Sequence, residues 1–465
     1  MRHVVPAATN SVTLVLRDVS DVTKPRKPLT KRVRVGALML TAAMLAACGG
    51  GSGGDASHGS AAAPTPSPTP APAPPSPSPP APSPPAPSPP GPVPPPAPSP
   101  PAPVPPPAPA PSPLPPGPSP LPPGPVPSGT AMLGSCAAFP ASAIFNTRID
   151  DSLRFPVHAS SSAWIGAIGN TRALHADWGS NENASASDYY GIPLNLLSAS
   201  SPETDWPGIG FVAGGAPDES DCALANAGGG HDLVRDCTTR PVASLRFPMP
   251  RDAVILLEGG TCNDPATCGD RHVLVVEQGA CRLWESYFTY RSAGQWSAYS
   301  TAAWDLNSNA MRPDSWTSGD AAGLPIAPLL VRADEASAGV IPHALRVTFR
   351  DAVLSGTYAW PARHRAGNSS GSIPFGALLR LKASFAIPPS WSTQAKAIAT
   401  AMQRHGLYVA DIGSDLYVQG DPSAQWSGST ISQIQTLRMN DFEFVDLGSI
   451  TRDPRFDPNS LAASW

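Results

Sequence analysis

Residues 64–127 hold 38 of the chain's 62 prolines. Proline has no backbone donor and fixes φ near −65°, so this stretch can enter neither a helix interior nor a central strand. Between the prolines stand almost only Ala, Ser, Gly and Thr, which supply no core. The segment reads as a polyproline II spacer, on the order of 200 Å long if straight at about 3.1 Å per residue. It has no strict Gly-X-Y period, which excludes collagen. Whatever folds must lie after it, and residues 128–465 have the composition of one large globular module.

Ahead of the spacer the chain reads as an export signal. Lys24, Arg26, Lys27, Lys31, Arg32 and Arg34 precede a short apolar run over residues 35–47, too short to span a bilayer. The run ends Leu45-Ala46-Ala47-Cys48-Gly49, the pattern of a bacterial lipoprotein signal with Cys48 lipidated. The alternative is an ordinary signal peptide with an incidental cysteine. Residues 1–47 are thus expected to be a signal peptide and 48–127 a lipidated cysteine with a Gly/Ser- and Pro-rich stalk. The 128–465 module is expected at the outer membrane or cell surface. Beyond Pro127, 23 Lys/Arg face 32 Asp/Glu, and lysine is reduced to Lys382 and Lys396. That surface lacks the basic footprint nucleic acid or anionic lipid would need. The membrane is expected as a partner only through the lipid.

Six further cysteines, Cys136, Cys222, Cys237, Cys262, Cys268 and Cys281, read as three disulfides in an exported chain. Many pairings are possible. Proximity favours Cys262–Cys268 and Cys222–Cys237, leaving Cys136–Cys281 as a long tie. A zinc site would need Cys-x2-Cys or His-Glu-x-x-His spacing, and neither is present.

Short β-branched or aromatic runs recur at 253–258, 272–277, 282–288, 344–349, 356–360, 378–385, 407–411 and 416–419, between turn residues. They predict a mainly β fold, an antiparallel β-sandwich or jelly-roll-like domain with one or two peripheral helices. One helix is predicted over 392–404, with Ser392 as its cap, Ala395, Ile398, Ala399 and Met402 on one face and Gly406 closing it. A second is predicted near 161–169.

Several clusters could carry chemistry. His175 and Asp177 would share a face of a strand, as base and orienting acid or as two metal ligands; the plainer reading is a loop histidine held by local hydrogen bonds. Asp270, Arg271 and His272 stand between the Cys262–Cys268 loop and an apolar strand, where sites are often built; a salt-bridged turn is the competing reading. Alternation would set His272, Leu274 and Val276 against Val273, Val275 and Glu277. Asp305 or Glu258 could be an acid or base in sugar chemistry. His343 with Arg346 could neutralise a uronate and take its C5 proton; a histidine heading a strand is also commonly structural. Trp164, Trp178, Trp206, Trp284, Trp296, Trp304, Trp316 and Trp360 could line a sugar groove or fill the core. Gly367-Asn-Ser369-Ser-Gly371 matches a hydrolase elbow in letters but lacks its strand–helix frame. Asp218, Glu219 and Asp221, or Asp411, Asp415 and Asp421, could hold a divalent metal such as calcium, without EF-hand spacing.

The segments LHADWG (174–179), YYGIPLNLL (189–197), LLEGG (256–260), GDRHVLVVE (269–277), CRLWESY (281–287), WDLNSNAMRPDSWTSGDAAGLPIAP (304–328), GVIPHALRVT (339–348), WPARH (360–364) and GLYVADIGSDLYVQGDP (406–422) together resemble an uncharacterised module of secreted bacterial proteins. Residues 221–240, with Cys222 and Cys237, depart from its pattern. The resemblance implies no catalytic role for any residue. Similar modules stand beside sugar-binding domains, which implies carbohydrate as the partner. The expected function is therefore that of a surface-anchored lipoprotein whose module acts on an extracellular polysaccharide, as hydrolase or lyase. His175, Asp177, Asp270, His272 and His343 would carry it, with Arg271 and Asp305 in support. A non-catalytic carbohydrate-binding or adhesion module and a structural envelope protein are the alternatives. The enzyme reading asks His175, Asp270 and His343 to meet in one place.

Overall fold

The computed structural model describes residues 129–198, 204–250 and 257–465. The export signal, Cys48, the spacer and most of the expected 253–258 strand lie outside the described residues. The fold is mainly β. One sheet runs in the order Ser300–Asp305, Arg282–Tyr287, Val273–Gln278, Leu194–Ser198. Its neighbours are antiparallel except the last pair, which is parallel. Both faces are covered. Leu274, Val276, Leu283 and Trp304 enter a large core, while Val273, Val275, Trp284 and Ala303 enter a smaller one. A strand buried on both faces must be apolar at every position, which is why residues 273–276 carry no polar alternation.

A second sheet has the order Phe442–Phe444, Leu378–Leu381, Leu407–Ile412, Leu345–Phe349, Tyr417–Gln419, His175–Asp177. Here Leu345–Phe349 and Leu407–Ile412 are parallel, as are Tyr417–Gln419 and His175–Asp177. The sheets are thus mixed, not antiparallel throughout as the strand spacing led one to expect. The cause lies in the connections. Parallel neighbours need a long crossover, and the chain between residues 349 and 407 contains Leu378–Leu381 and the helix Thr393–Arg404.

Both predicted helices form. In Thr393–Arg404 the Ser392 hydroxyl accepts from the Ala395 amide at 3.0 Å, and Ala395, Ile398, Ala399 and Met402 are buried. Ser161–Ile168 buries Trp164, Ile165 and Ile168. Ala333–Ala338, Gly428–Ile434 and Gly448–Thr451 are further short helices. The expected strand 356–360 lies at Leu354–Tyr358, and that expected to reach residue 385 ends at Leu381. The disulfides are Cys136–Cys281, Cys222–Cys237 and Cys262–Cys268, with Cα separations of 5.4, 5.7 and 5.6 Å. Three such bonds fit an exported protein. Among the described residues no helix is long and apolar enough to cross a membrane.

Candidate functional site

The site lies where the two sheets meet, and a disulfide-closed loop supplies its first members. Cys262–Cys268 turns the chain back so that the Glu258 amide donates to the His272 carbonyl at 3.1 Å and the His272 amide to Glu258 Oε2 at 3.2 Å. Gly260 sits at φ +59, where a Cβ would strike the Ala184 carbonyl, so the turn admits only glycine. His272 is 1% exposed; its Nδ1 lies 2.6 Å from Glu258 Oε2 and its Nε2 2.8 Å from the Gly319 carbonyl. Both neighbours are acceptors, so both ring nitrogens donate and the ring is an imidazolium. Burial opposes that charge, but Glu258 outweighs it, raising His272 to about 9. Burial likewise opposes ionisation of Glu258, and His272 again outweighs it, holding the carboxylate below its ordinary range. Glu258 keeps 24% of its side chain exposed.

The second sheet supplies the rest. In Leu345–Phe349 the apolar Leu345, Val347 and Phe349 enter the core, and period-2 alternation puts Arg346 on the other face. Arg346 is fully buried. It donates to Asp320 at 3.0 Å and to Gln419, and lies 3.7 Å from Asp411. A register shift between Val347 and Thr348 brings Asp411 opposite Thr348, a bulge of the kind that re-aims side chains. Asp177 pairs in register with Gln419 on the neighbouring strand. The 317–327 loop locks the two sheets together. Its Gly319 carbonyl takes His272, its Asp320 takes Arg346, and its Ile326 and Ala327 amides bind buried Glu285 at 2.8 and 2.9 Å.

Asp177, Glu258, Asp270, Asp320 and Asp411 thus gather round two cations, Arg346 and His272. With more carboxylates than cations, some must hold protons near neutral pH. Burial pushes Asp177 up to about 6, aided by Glu258 and opposed by hydrogen bonds from Tyr190 and Gln419. Burial also raises Asp411 to about 6, against Arg346. Asp270 keeps solvent contact, yet desolvation by the surrounding protein raises it, against the pull of His272. Burial and Asp270 keep Tyr287 protonated, so its hydroxyl donates to Asp270. The rim reachable from solvent is therefore acidic and tyrosine-rich, over a floor of Arg346 and His272.

Asp177, Asp270 and His272 come together here, with His175 at the margin: its ring stacks on Tyr417 at 4.0 Å, and Tyr190 stands edge-on at 6.4 Å. The other expected site residues do not join them. Arg271, at φ 52, turns away; its guanidinium donates to the Gly260 and Glu258 carbonyls and lies over Tyr290. Asp305 is exposed at a strand end and caps the Asn307 amide at 3.0 Å. His343 is fully buried, bonded to Glu335 and to the Ala344 carbonyl at 2.8 Å each, so it does not meet His175 and Asp270. Asp221 is saturated by Arg312, Arg235 and the Ala303 amide, and Glu219 accepts from the Thr317 amide at 2.8 Å. Asp415 is taken by Arg350, and Asp421 by the Ala333 amide. Among the described residues no three His, Cys, Asp or Glu stand close enough to hold a metal ion. Trp164, Trp178, Trp284, Trp296 and Trp304 are buried, so most tryptophans fill cores and the site's aromatics are tyrosines. Ser369 donates to Asp351 at 2.6 Å in a loop, without a histidine partner.

Tyr190, Tyr287, Asp320 and Gln419 were not foreseen. Arg346 was visible only as a uronate partner and Asp411 only as a calcium ligand. A charged residue inside the apolar run 344–349 was the available signal, because a buried arginine requires a buried acid. Comparison of the chain with protein-family models, with curated proteins and with solved structures gives no match in any of the three.

Proposed function

We propose that the module is a glycoside hydrolase that cleaves an extracellular polysaccharide at a neutral sugar, carried on a lipid-anchored, stalk-mounted exported chain. One observation carries this reading. The pKa values of two half-buried carboxyl groups of one rim are driven apart, Asp177 up to about 6 and Glu258 below its ordinary range. Acid and base assignments follow from such divergence, and glycoside hydrolysis needs one of each. Asp177 is the proton donor to the glycosidic oxygen. Glu258, kept ionised by His272, is the nucleophile or the base that activates water. Asp270 and the Tyr287 hydroxyl bind sugar hydroxyls, while His272 and Arg346 are positioning residues. The likeness to modules found beside sugar-binding domains supports a glycan substrate.

The lyase alternative fits less well. It needs an accessible base beside a cation that neutralises the uronate being cleaved. His272 and His343 are buried and Arg346 is spent on Asp320; His175 is half-buried beside Arg172, but its ring is stacked on Tyr417 at the margin of the acidic rim, and that rim repels a uronate at the cleaved ring. The test is release of reducing ends from neutral and uronate polysaccharides by the full chain. Hydrolysis is expected, with D177N and E258Q each slowing it by about 10²–10⁴-fold. Unsaturated products from uronate polymers would replace the reading with a lyase. Retention on a glycan without turnover would replace it with a binding module.

A further inference from the structure

A cavity of about 640 Å³ opens beside His175, walled by Arg172, Arg350, Asp415, Tyr417 and Gln435. Its volume lies within the roughly 300–1,000 Å³ of small-molecule sites. Arg350 is anchored to the Ala167 and Ile168 carbonyls and to Asp415. Arg172 is 54% exposed and approaches the same Asp415 carboxylate at 3.7 Å. Asp415 is itself buried, at 4%. Two guanidiniums and one carboxylate leave a net single positive charge, in a module that is otherwise strongly acidic. That charge matches a monoanion. The planar fork of an arginine matches a carboxylate in shape as well.

The cavity is joined to the carboxylate rim. His175 lines it, and Asp177 follows two residues later on the same strand face, about 6.6 Å along at the usual strand rise. Tyr190 bridges that interval, and Tyr417 flanks His175 on the neighbouring strand. Tyr417 stacks on His175, Tyr190 stands edge-on to His175, and the Tyr190 hydroxyl bonds Asp177. Rings so placed offer a surface on which the apolar faces of sugars rest. A glycan lying along it would place one residue at Asp177 and the next in the cavity.

We propose that this cavity is a saccharide subsite for an acidic sugar whose carboxylate is set against Arg172, so that the substrate is a heteroglycan carrying a uronate beside the neutral sugar cleaved at Asp177. The site of cleavage rests on the hydrolase reading; the binding of the uronate does not. The carboxylate gains a charge-assisted contact that a neutral sugar cannot make, and such a contact amounts to about tenfold in affinity or more.

The experiment is calorimetric titration of the full-length D177N chain at low salt with an oligosaccharide of alternating neutral and uronate sugars. The same oligosaccharide with its carboxyl groups reduced to alcohols, and a sulfated neutral oligosaccharide, are the comparisons. The uronate form is expected to bind about tenfold or more tighter than the reduced form, and R172A to erase the difference. R172K, which keeps the charge but loses the fork, is expected to restore part of it. Thermal unfolding of R172A separates loss of the contact from loss of the fold. Equal binding of uronate and reduced forms, or an undiminished preference in a folded R172A, would overturn the proposal. Tighter binding of the sulfated form would overturn its assignment to a carboxylate. Uronate binding without hydrolysis by the wild type sinks the hydrolase reading and leaves the subsite standing. Hydrolysis with no uronate preference does the reverse.

Discussion

His272 donates from both ring nitrogens, to Glu258 and to the Gly319 carbonyl, and two consequences for pH follow. The ring's pKa rises from an ordinary 6.5 to about 9 on folding, so the folded state holds a proton that the unfolded chain releases near neutrality. The stability it contributes is complete below pH 6.5 and is lost as pH climbs through 9. Chemical denaturation is expected to show a fall of about 3 kcal/mol across that window. E258Q, which removes the counter-charge, should flatten it, and an equally steep fall in E258Q would mean that His272 is not the group responsible. Catalysis follows a different pair. Asp177 must be protonated to donate, so kcat/KM is expected to fall as pH rises past about 6. Glu258 must be ionised, and its pKa is depressed, so the acid limb lies below the ordinary carboxylate range. The Tyr190 hydroxyl favours the ionised form of Asp177. Tyr190→Phe should therefore move the alkaline limb to higher pH while leaving the acid limb in place.

At the level of elements, Arg346 ties the strand Leu345–Phe349 to the 317–327 loop through Asp320 and to Tyr417–Gln419 through Gln419. Both members of the Arg346–Asp320 pair are fully buried. Removing Arg346 leaves Asp320, whose carboxyl burial already raises to about 8, to take up a proton and lose its guanidinium donor, which costs about 1–3 kcal/mol. R346M should lower the unfolding free energy by that amount, and R346M/D320L, which removes both polar groups, should recover most of it. A double variant as unstable as the single one would show that the loop needs the pair itself. The same elements show what could be read in advance. The helix at 392–404 was legible because its cap and apolar face are local, and the apolar run at 273–276 because a doubly buried strand has no other composition. His175 with Asp177 was legible as a pair because i to i+2 spacing on a strand is local too, and Asp270 with His272 as a polar cluster at the mouth of an apolar strand. Their meeting was not. It depends on parallel strand pairing across a long crossover, on a bulge opposite Thr348 and on a loop 41 residues from the strand residue it caps, none of which leaves a periodic trace. His343 misled because burial beside Glu335 and exposure in a site look alike in one dimension.

Across the whole molecule the three disulfides divide the labour between stability and the site. Cys136–Cys281 spans 145 residues and ties the start of the module to the turn joining Val273–Gln278 to Arg282–Tyr287. Cys222–Cys237 spans 15 and packs into the smaller core. Cys262–Cys268 spans only 6, but it closes the loop that returns Glu258 to His272. In the loop-entropy picture the stabilisation grows with the chain enclosed, to about 5 kcal/mol for the longest and about 3 kcal/mol for the 15-residue loop, and least for the shortest. Replacing each pair by serine should therefore rank C136S/C281S, C222S/C237S, C262S/C268S in decreasing loss of unfolding free energy. Activity should rank differently. The Cys262–Cys268 loop carries no large share of the core, yet releasing it frees Glu258 from the hydrogen bonds that position it, and misplacement by about 1 Å is enough to cost 10²-fold in rate. C262S/C268S is thus expected to keep a denaturation midpoint near that of the wild type while losing kcat/KM by about that factor. A variant that loses stability as deeply as C136S/C281S, or that stays fully active, would show that the short bond serves the fold and not the site.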